Sequence, residues 1–110
     1  HFPYDYDYPA AENVFRPTMQ EAGGTDQERR INSYQNAVRW TVDRFFARLL
    51  DEADLTRTAV LYTSDHGQNF EPDALTHCSV EDPDPREAIV PLLVATDDEA
   101  LRPRFAAAAA

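Results

Sequence analysis

Residues 57 to 67 read Arg-Thr-Ala-Val-Leu-Tyr-Thr-Ser-Asp-His-Gly, an apolar, partly β-branched run that stops abruptly on a polar tetrapeptide. The run alternates too little for a half-exposed strand and predicts a strand buried on both faces. A second such run, Ala88-Ile89-Val90-Pro91-Leu92-Leu93-Val94-Ala95-Thr96, follows a polar loop over 68–87. Pro91 has no N–H to give to a ladder, so it marks the start or an edge of that strand. In open α/β sheets, ligands bind just beyond the carboxyl ends of the strands, which is where Asp65 and His66 fall. A carboxylate beside an imidazole suits a divalent metal. Asp-His-Gly is equally acceptable as an ordinary turn.

Upstream, Ile31, Tyr34, Val38, Thr41, Phe45 and Leu49 recur at three- and four-residue steps, with Arg39, Asp43, Arg44 and Asp51 on the other side. That spacing predicts a long helix over 31–54 packed along one face. Residues 1–30 form a long connection, aromatic and proline-rich to Pro17 and polar thereafter. Connections of that length are usually functional or disordered. Tyr4, Tyr6, Tyr8, Phe2 and Phe15 need something to pack on and speak against disorder. Asp97-Asp98-Glu99 would suit the positive end of a short final helix. The run Ala106 to Ala110 carries no informative side chain.

A chain of 110 residues is one small domain at most. Hydrophobic residues at 43% supply a core, and 11% aromatic content argues against disorder. All ten basic residues are arginine, against 20 acids, for a formal charge of −10. Such a surface repels nucleic acid and anionic headgroups, whose protein partners rely on cationic neutralisation. No run of about 18 apolar residues exists to span a membrane. Cys78, the single cysteine, has no internal disulfide partner, and nothing places a base beside it. The chain opens on His1, and two strands with one long helix cannot cover both faces of a sheet. A piece of a larger α/β domain is therefore expected.

The histidines are His1, His66 and His77, and the latter two flank a loop containing Gln68, Asn69, Glu71, Asp73 and Thr76. Imidazole with carboxylate favours zinc or manganese over calcium or magnesium. Two ligands do not make a site, so a third or fourth must come from His1, His77 or chain outside this sequence. Each residue also has a plainer reading. A lone loop histidine such as His77 is more often solvated, His1 sits at a chain end, and Asp65 can serve as a cap.

Several patterns together resemble one superfamily. Ser64-Asp65-His66-Gly67 after a Val-Leu-Tyr strand looks like the metal-binding segment of the sulfatase branch of the alkaline phosphatase superfamily. Tyr34-Gln35-Asn36-Ala37 and Trp40-Thr41-Val42-Asp43 resemble the helix before that strand. His1 with Pro3-Tyr4, Tyr8-Pro9 and Phe15-Arg16-Pro17 is similar to the histidine loop of bacterial phosphoethanolamine transferases, and Val90-Pro91-Leu92-Leu93-Val94 matches the strand after the metal loop. The resemblance covers most of residues 1–96. It implies an alkaline-phosphatase-like α/β/α sandwich with a mixed, mainly parallel sheet.

By residue, the resemblance makes Asp65 and His66 metal ligands, for zinc or manganese in the transferases and calcium or magnesium in many sulfatases. It makes His1 and His77 substrate-binding and implies a small-molecule or lipid phosphate or sulfate ester as substrate. It leaves no catalytic nucleophile in this chain. Membrane anchoring would come only through segments outside the chain, with the domain in the periplasm or another extracytoplasmic space. Departures are Gln68 where Glu often follows Asp-His-Gly, no cysteines over 16–30, and His1-Phe2-Pro3 where His-Gly-Pro is common. Sulfuric ester hydrolysis is the alternative within the superfamily. A non-catalytic acidic binding module that keeps the fold is the alternative of another class.

Overall fold

The computed structural model describes residues 8–72 and 74–109. The chain divides into two compact units. One comprises the residues up to Leu49 together with Phe70–Ala74; the other comprises Leu50–Asn69 and the chain from Leu75 onward.

In the first unit, helix α1 (Asp26–Val38) starts five residues before the periodicity predicts. Its start is set by polar chemistry rather than by the apolar stripe. Thr25 Oγ1 accepts from Glu28 N at 3.1 Å, and Glu28 Oε2 accepts in turn from Thr25 N at 3.4 Å. This reciprocal capping box satisfies two otherwise orphaned donors. Gly24, at φ +64°, admits the Glu28 carboxylate where a Cβ would lie 2.6 Å from Oε2. A π-helical turn (Arg39–Asp43) then leads into α2 (Arg44–Glu52), so the helix ends two residues short of Asp54. At that turn the Thr41 hydroxyl donates to the Ala37 carbonyl at 2.7 Å, a back-bond that bends helices.

The face that α1 buries is polar. Ser33, Asn36 and Ala37 are its buried residues. Asn36 is fully enclosed; its Oδ1 accepts from Val14 N and Phe15 N, both at 3.0 Å, and its Nδ2 donates to Phe15 O at 2.9 Å. Ser33 Oγ accepts from Met19 N at 2.9 Å, and Asn32 Nδ2 donates to Pro17 O at 2.9 Å. Three side chains within two helical turns thus hold the incoming segment 14–19 by its backbone. Glu12 adds ion pairs to Arg39 and Arg44, and Arg44 lies 4.5 Å above the Trp40 ring. Tyr34 meets Phe70 edge-on at 5.1 Å.

In the second unit, a 3-10 turn (Leu55–Arg57) capped by Asp54 leads into β1 (Ala59–Thr63). This pairs with β2 (Leu92–Thr96), which begins one residue after Pro91. The pair is antiparallel, with Ala59 opposite Thr96, Leu61 opposite Val94 and Thr63 opposite Leu92. The described residues therefore form a two-stranded antiparallel sheet. The prediction of strands buried on both faces fails, since Leu61 is 62% exposed and Leu92 70%. Two strands pair only with each other, so neither gains the flanking strands and covering layers that bury a central strand. Beyond β2, Asp98 Oδ1 accepts from Ala100 N and Leu101 N at 2.8 and 3.1 Å and turns the chain into α3 (Arg102–Ala108). No described helix is long and apolar enough to cross a membrane.

Candidate functional site

The carboxyl end of β1 delivers Ser64, Asp65, His66 and Gly67 into a tight local arrangement. Ser64 Oγ donates to His66 O at 2.7 Å, closing the turn. Gly67 N donates to Glu87 O at 2.6 Å. The glycine is required by close approach, because a Cβ there would lie 1.9 Å from Arg86 O and 2.6 Å from Ile89 O. A motif that reads as a turn with a permissive glycine is thus a strand end pressed against another backbone segment.

That segment is a 3-10 turn (Pro85–Glu87) built by its own sequence. Asp84 Oδ1 accepts from Arg86 N at 2.8 Å, and Arg86 Nε and Nη2 return to the same carboxylate at 2.8 and 2.5 Å. The Arg86 guanidinium, followed by the Arg86 amide, pulls the Asp84 carboxyl down to about 2. Pro85 occupies the first turn, where its missing N–H costs nothing. The Glu87 side chain is buried. It accepts from Ser79 N at 2.9 Å, Ser79 Oγ at 2.8 Å and Asn69 Nδ2 at 3.4 Å. Those bonds, Ser79 N–H foremost, hold its carboxyl below the ordinary value of 4.5.

His66 Nδ1 lies 2.7 Å from Gly67 O. A carbonyl only accepts, so Nδ1 carries a proton, and in the neutral imidazole the lone pair is then on Nε2. That Nε2 stands 3.8 Å from Asp65 Oδ1. The Asp65 side chain is 89% exposed and His66 33%. His77 is stacked on His66, the rings 4.1 Å apart and 7° from parallel, and its Nδ1 is 3.0 Å from Thr76 Oγ1. The structure thus brings Asp65, His66 and His77 together. His1 lies outside the described residues.

These donors suit a divalent metal in kind. Histidine ligands characteristically give their other ring N–H to a carbonyl or carboxylate, and His66 has that arrangement with Gly67. In number they are half a set, since no group of three or more His, Cys, Asp or Glu side chains among the described residues is placed to hold an ion. Of the loop residues with ligand chemistry, Asn69 turns inward instead: its side chain binds Glu87, and its N–H donates to Thr76 O at 2.8 Å. Gln68 Nε2 is enclosed without a hydrogen-bond partner, and Asp73 lies outside the described residues. Glu87 had no signal in the sequence, where it is one acid in an acidic stretch.

A sequence model of the sulfatase family matches residues 1–108, nearly the whole chain. No curated protein and no solved structure matches the chain. The match takes in the 14–19 segment, the helix that holds it, the Asp65–His66 turn and β2, so the chain belongs to the sulfatase family.

Proposed function

We propose that this chain supplies Asp65 and His66 to the divalent-metal site of a sulfatase-family enzyme acting on phosphate or sulfate esters. The preferred reaction is phosphoethanolamine- or phosphoglycerol-type transfer, and sulfuric ester hydrolysis is the alternative. The observation that carries this reading is the placement of His66, with Nδ1 on Gly67 O at 2.7 Å and Nε2 3.8 Å from the Asp65 carboxylate. Zinc or manganese suits the transferase reading, and calcium or magnesium the sulfatase one. When bound, such an ion lowers the pKa of a hydroxyl nucleophile and neutralises charge on the oxygens around phosphorus or sulfur.

The chain's own residues have separate tasks in this reading. The Asp65 carboxylate and His66 Nε2 hold the ion, and Gly67 O keeps the proton on Nδ1. His77, stacked on His66, binds the anionic group of the ester, and His1 is the other substrate-binding histidine of this reading. The nucleophile comes from outside these residues, within an α/β/α sandwich whose sheet is mainly parallel, and the domain works in an extracytoplasmic space on a lipid or small-molecule ester.

Metal analysis of the full-length protein tests the reading. One divalent ion per chain is expected, with Asp65→Ala abolishing it. Metal content unchanged by Asp65→Ala, or no stoichiometric metal at all, would leave a non-catalytic acidic module as the better description.

A further inference from the structure

Glu87 joins both histidines of the site through two separate routes. Its backbone carbonyl takes the Gly67 N–H at 2.6 Å, and the Gly67 carbonyl takes the proton of His66 Nδ1 at 2.7 Å. Its side chain takes Asn69 Nδ2, Asn69 N–H binds Thr76 O, and Thr76 Oγ1 meets His77 Nδ1. Ser79 gives both its N–H and its O–H to the same carboxylate. Among the described residues Glu87 is the buried carboxylate, and all three of its side-chain bonds are to donors.

We infer that the Glu87 carboxylate is a positioning group: by anchoring Ser79 and Asn69 it fixes the Pro85–Glu87 turn, whose carbonyl orients Gly67 and through it the His66 tautomer, and it holds the Asn69–Thr76 pairing that sets the stacking face of His77. This rests on the proposed metal role of His66. A buried carboxylate is expensive unless donors surround it, and three here converge on one residue while its carbonyl reaches the histidine turn. Glutamine at this position has nearly the same shape but turns one acceptor into a donor facing donors. Direct partners of a ligating histidine, once removed, typically weaken metal binding by about 10- to 100-fold, and Glu87 acts on one such partner, the Gly67 carbonyl.

The test uses full-length protein with 15N-labelled histidine, metal-free and at a pH where imidazole is neutral. Long-range proton–nitrogen spectra report the His66 tautomer, and chelator competition reports Zn2+ affinity. In the wild type, His66 is expected as the Nδ1–H tautomer. In Glu87→Gln, and more mildly in Ser79→Ala, a mixture of tautomers and a Zn2+ Kd raised about 10-fold or more are expected. Glu87→Asp, which keeps the charge, is expected to recover part of the loss. A folded Glu87→Gln protein with the wild-type tautomer and a Kd within about twofold of wild type overturns the inference. If Glu87→Gln does not fold, Ser79→Ala decides on the same readouts. Zinc retained by Asp65→Ala would instead defeat the metal reading, whereas the tautomer result, obtained without metal, judges Glu87 by itself.

Discussion

The carbonyl oxygen of Arg86 lies 1.9 Å from the point where a Cβ on Gly67 would stand. Backbone, rather than the end of a flexible side chain, occupies the space, so little can give way. Gly67→Ala must separate the strand end from the Pro85–Glu87 turn and break the 2.6 Å bond from Gly67 N to Glu87 O. A cost of about 3 kcal/mol is expected, the upper end of ordinary overpacking. Denaturant unfolding of Gly67→Ala beside wild type measures it, and an unchanged midpoint would rule out the close approach.

Asn36 offers a second test, in the other unit. Its Oδ1 serves two backbone donors at once. Asn36→Ala strands the amides of Val14 and Phe15 and is expected to cost about 3 kcal/mol. Hydrogen exchange gives the specific signature, with those two amides losing protection more than the amides of α1. Uniform loss across the unit would show that Asn36 acts by general packing.

The helix start predicts a smaller effect. Thr25→Ala removes the acceptor for Glu28 N and should cost about 1 kcal/mol. Thr25→Ser should retain most of it. Circular dichroism during urea unfolding distinguishes the two variants, and equal stability of Thr25→Ala and wild type would mean the cap carries no weight.

Acid should loosen the Ser79–Glu87 region before the Val14 and Phe15 amides that Asn36 holds. The Glu87 carboxyl is held below 4.5 by Ser79, and the Asp84 carboxyl is drawn from 3.8 to about 2 by Arg86. Both folded values are depressed, so the stability they confer is present above the ordinary carboxylate values. It declines as pH falls through those values and is gone below the folded ones, about 2 for Asp84. Asn36 has no titratable group and is indifferent to that range. Amide exchange followed from pH 5 downward should show Ser79 and Arg86 losing protection ahead of Val14 and Phe15, and Glu87→Gln should flatten the trend at Ser79. The reverse order would contradict it.

Short-range chemistry was the legible part of the sequence. Asp65 and His66 stand out as candidates because the two residues are adjacent and follow an apolar run, and Pro91 marks the start of β2 through its missing donor. Thr25-Asp26-Gln27-Glu28 is equally readable as a capping box, but the apolar periodicity begins only at Ile31, five residues after the helix start. Two apolar runs suggest strands buried on both faces, because apolar composition records what a segment can tolerate and not what lies beside it. Glu87 and Asn36 could not have been found this way. Asn36 acts on residues 21 and 22 positions away and the Glu87 side chain on residues 8 and 18 away, and an acid in an acidic loop or an asparagine on a helix gives no sign of such a partner. The stacking of His77 on His66 is of the same kind: the loop that joins them is visible in the sequence, but its closure is not.

The π-helical turn at Arg39–Asp43 also changes the meaning of the long apolar periodicity. An extra residue in one turn sets every later side chain back by one position's rotation, about 100° around the axis. Ile31, Tyr34 and Val38 therefore do not continue into Phe45 and Leu49 as one stripe. The helix is two amphipathic segments out of phase, joined end to end. A single-residue deletion within 39–43 would bring them back into phase, turning Phe45, now exposed, toward the line of Tyr34 and Val38.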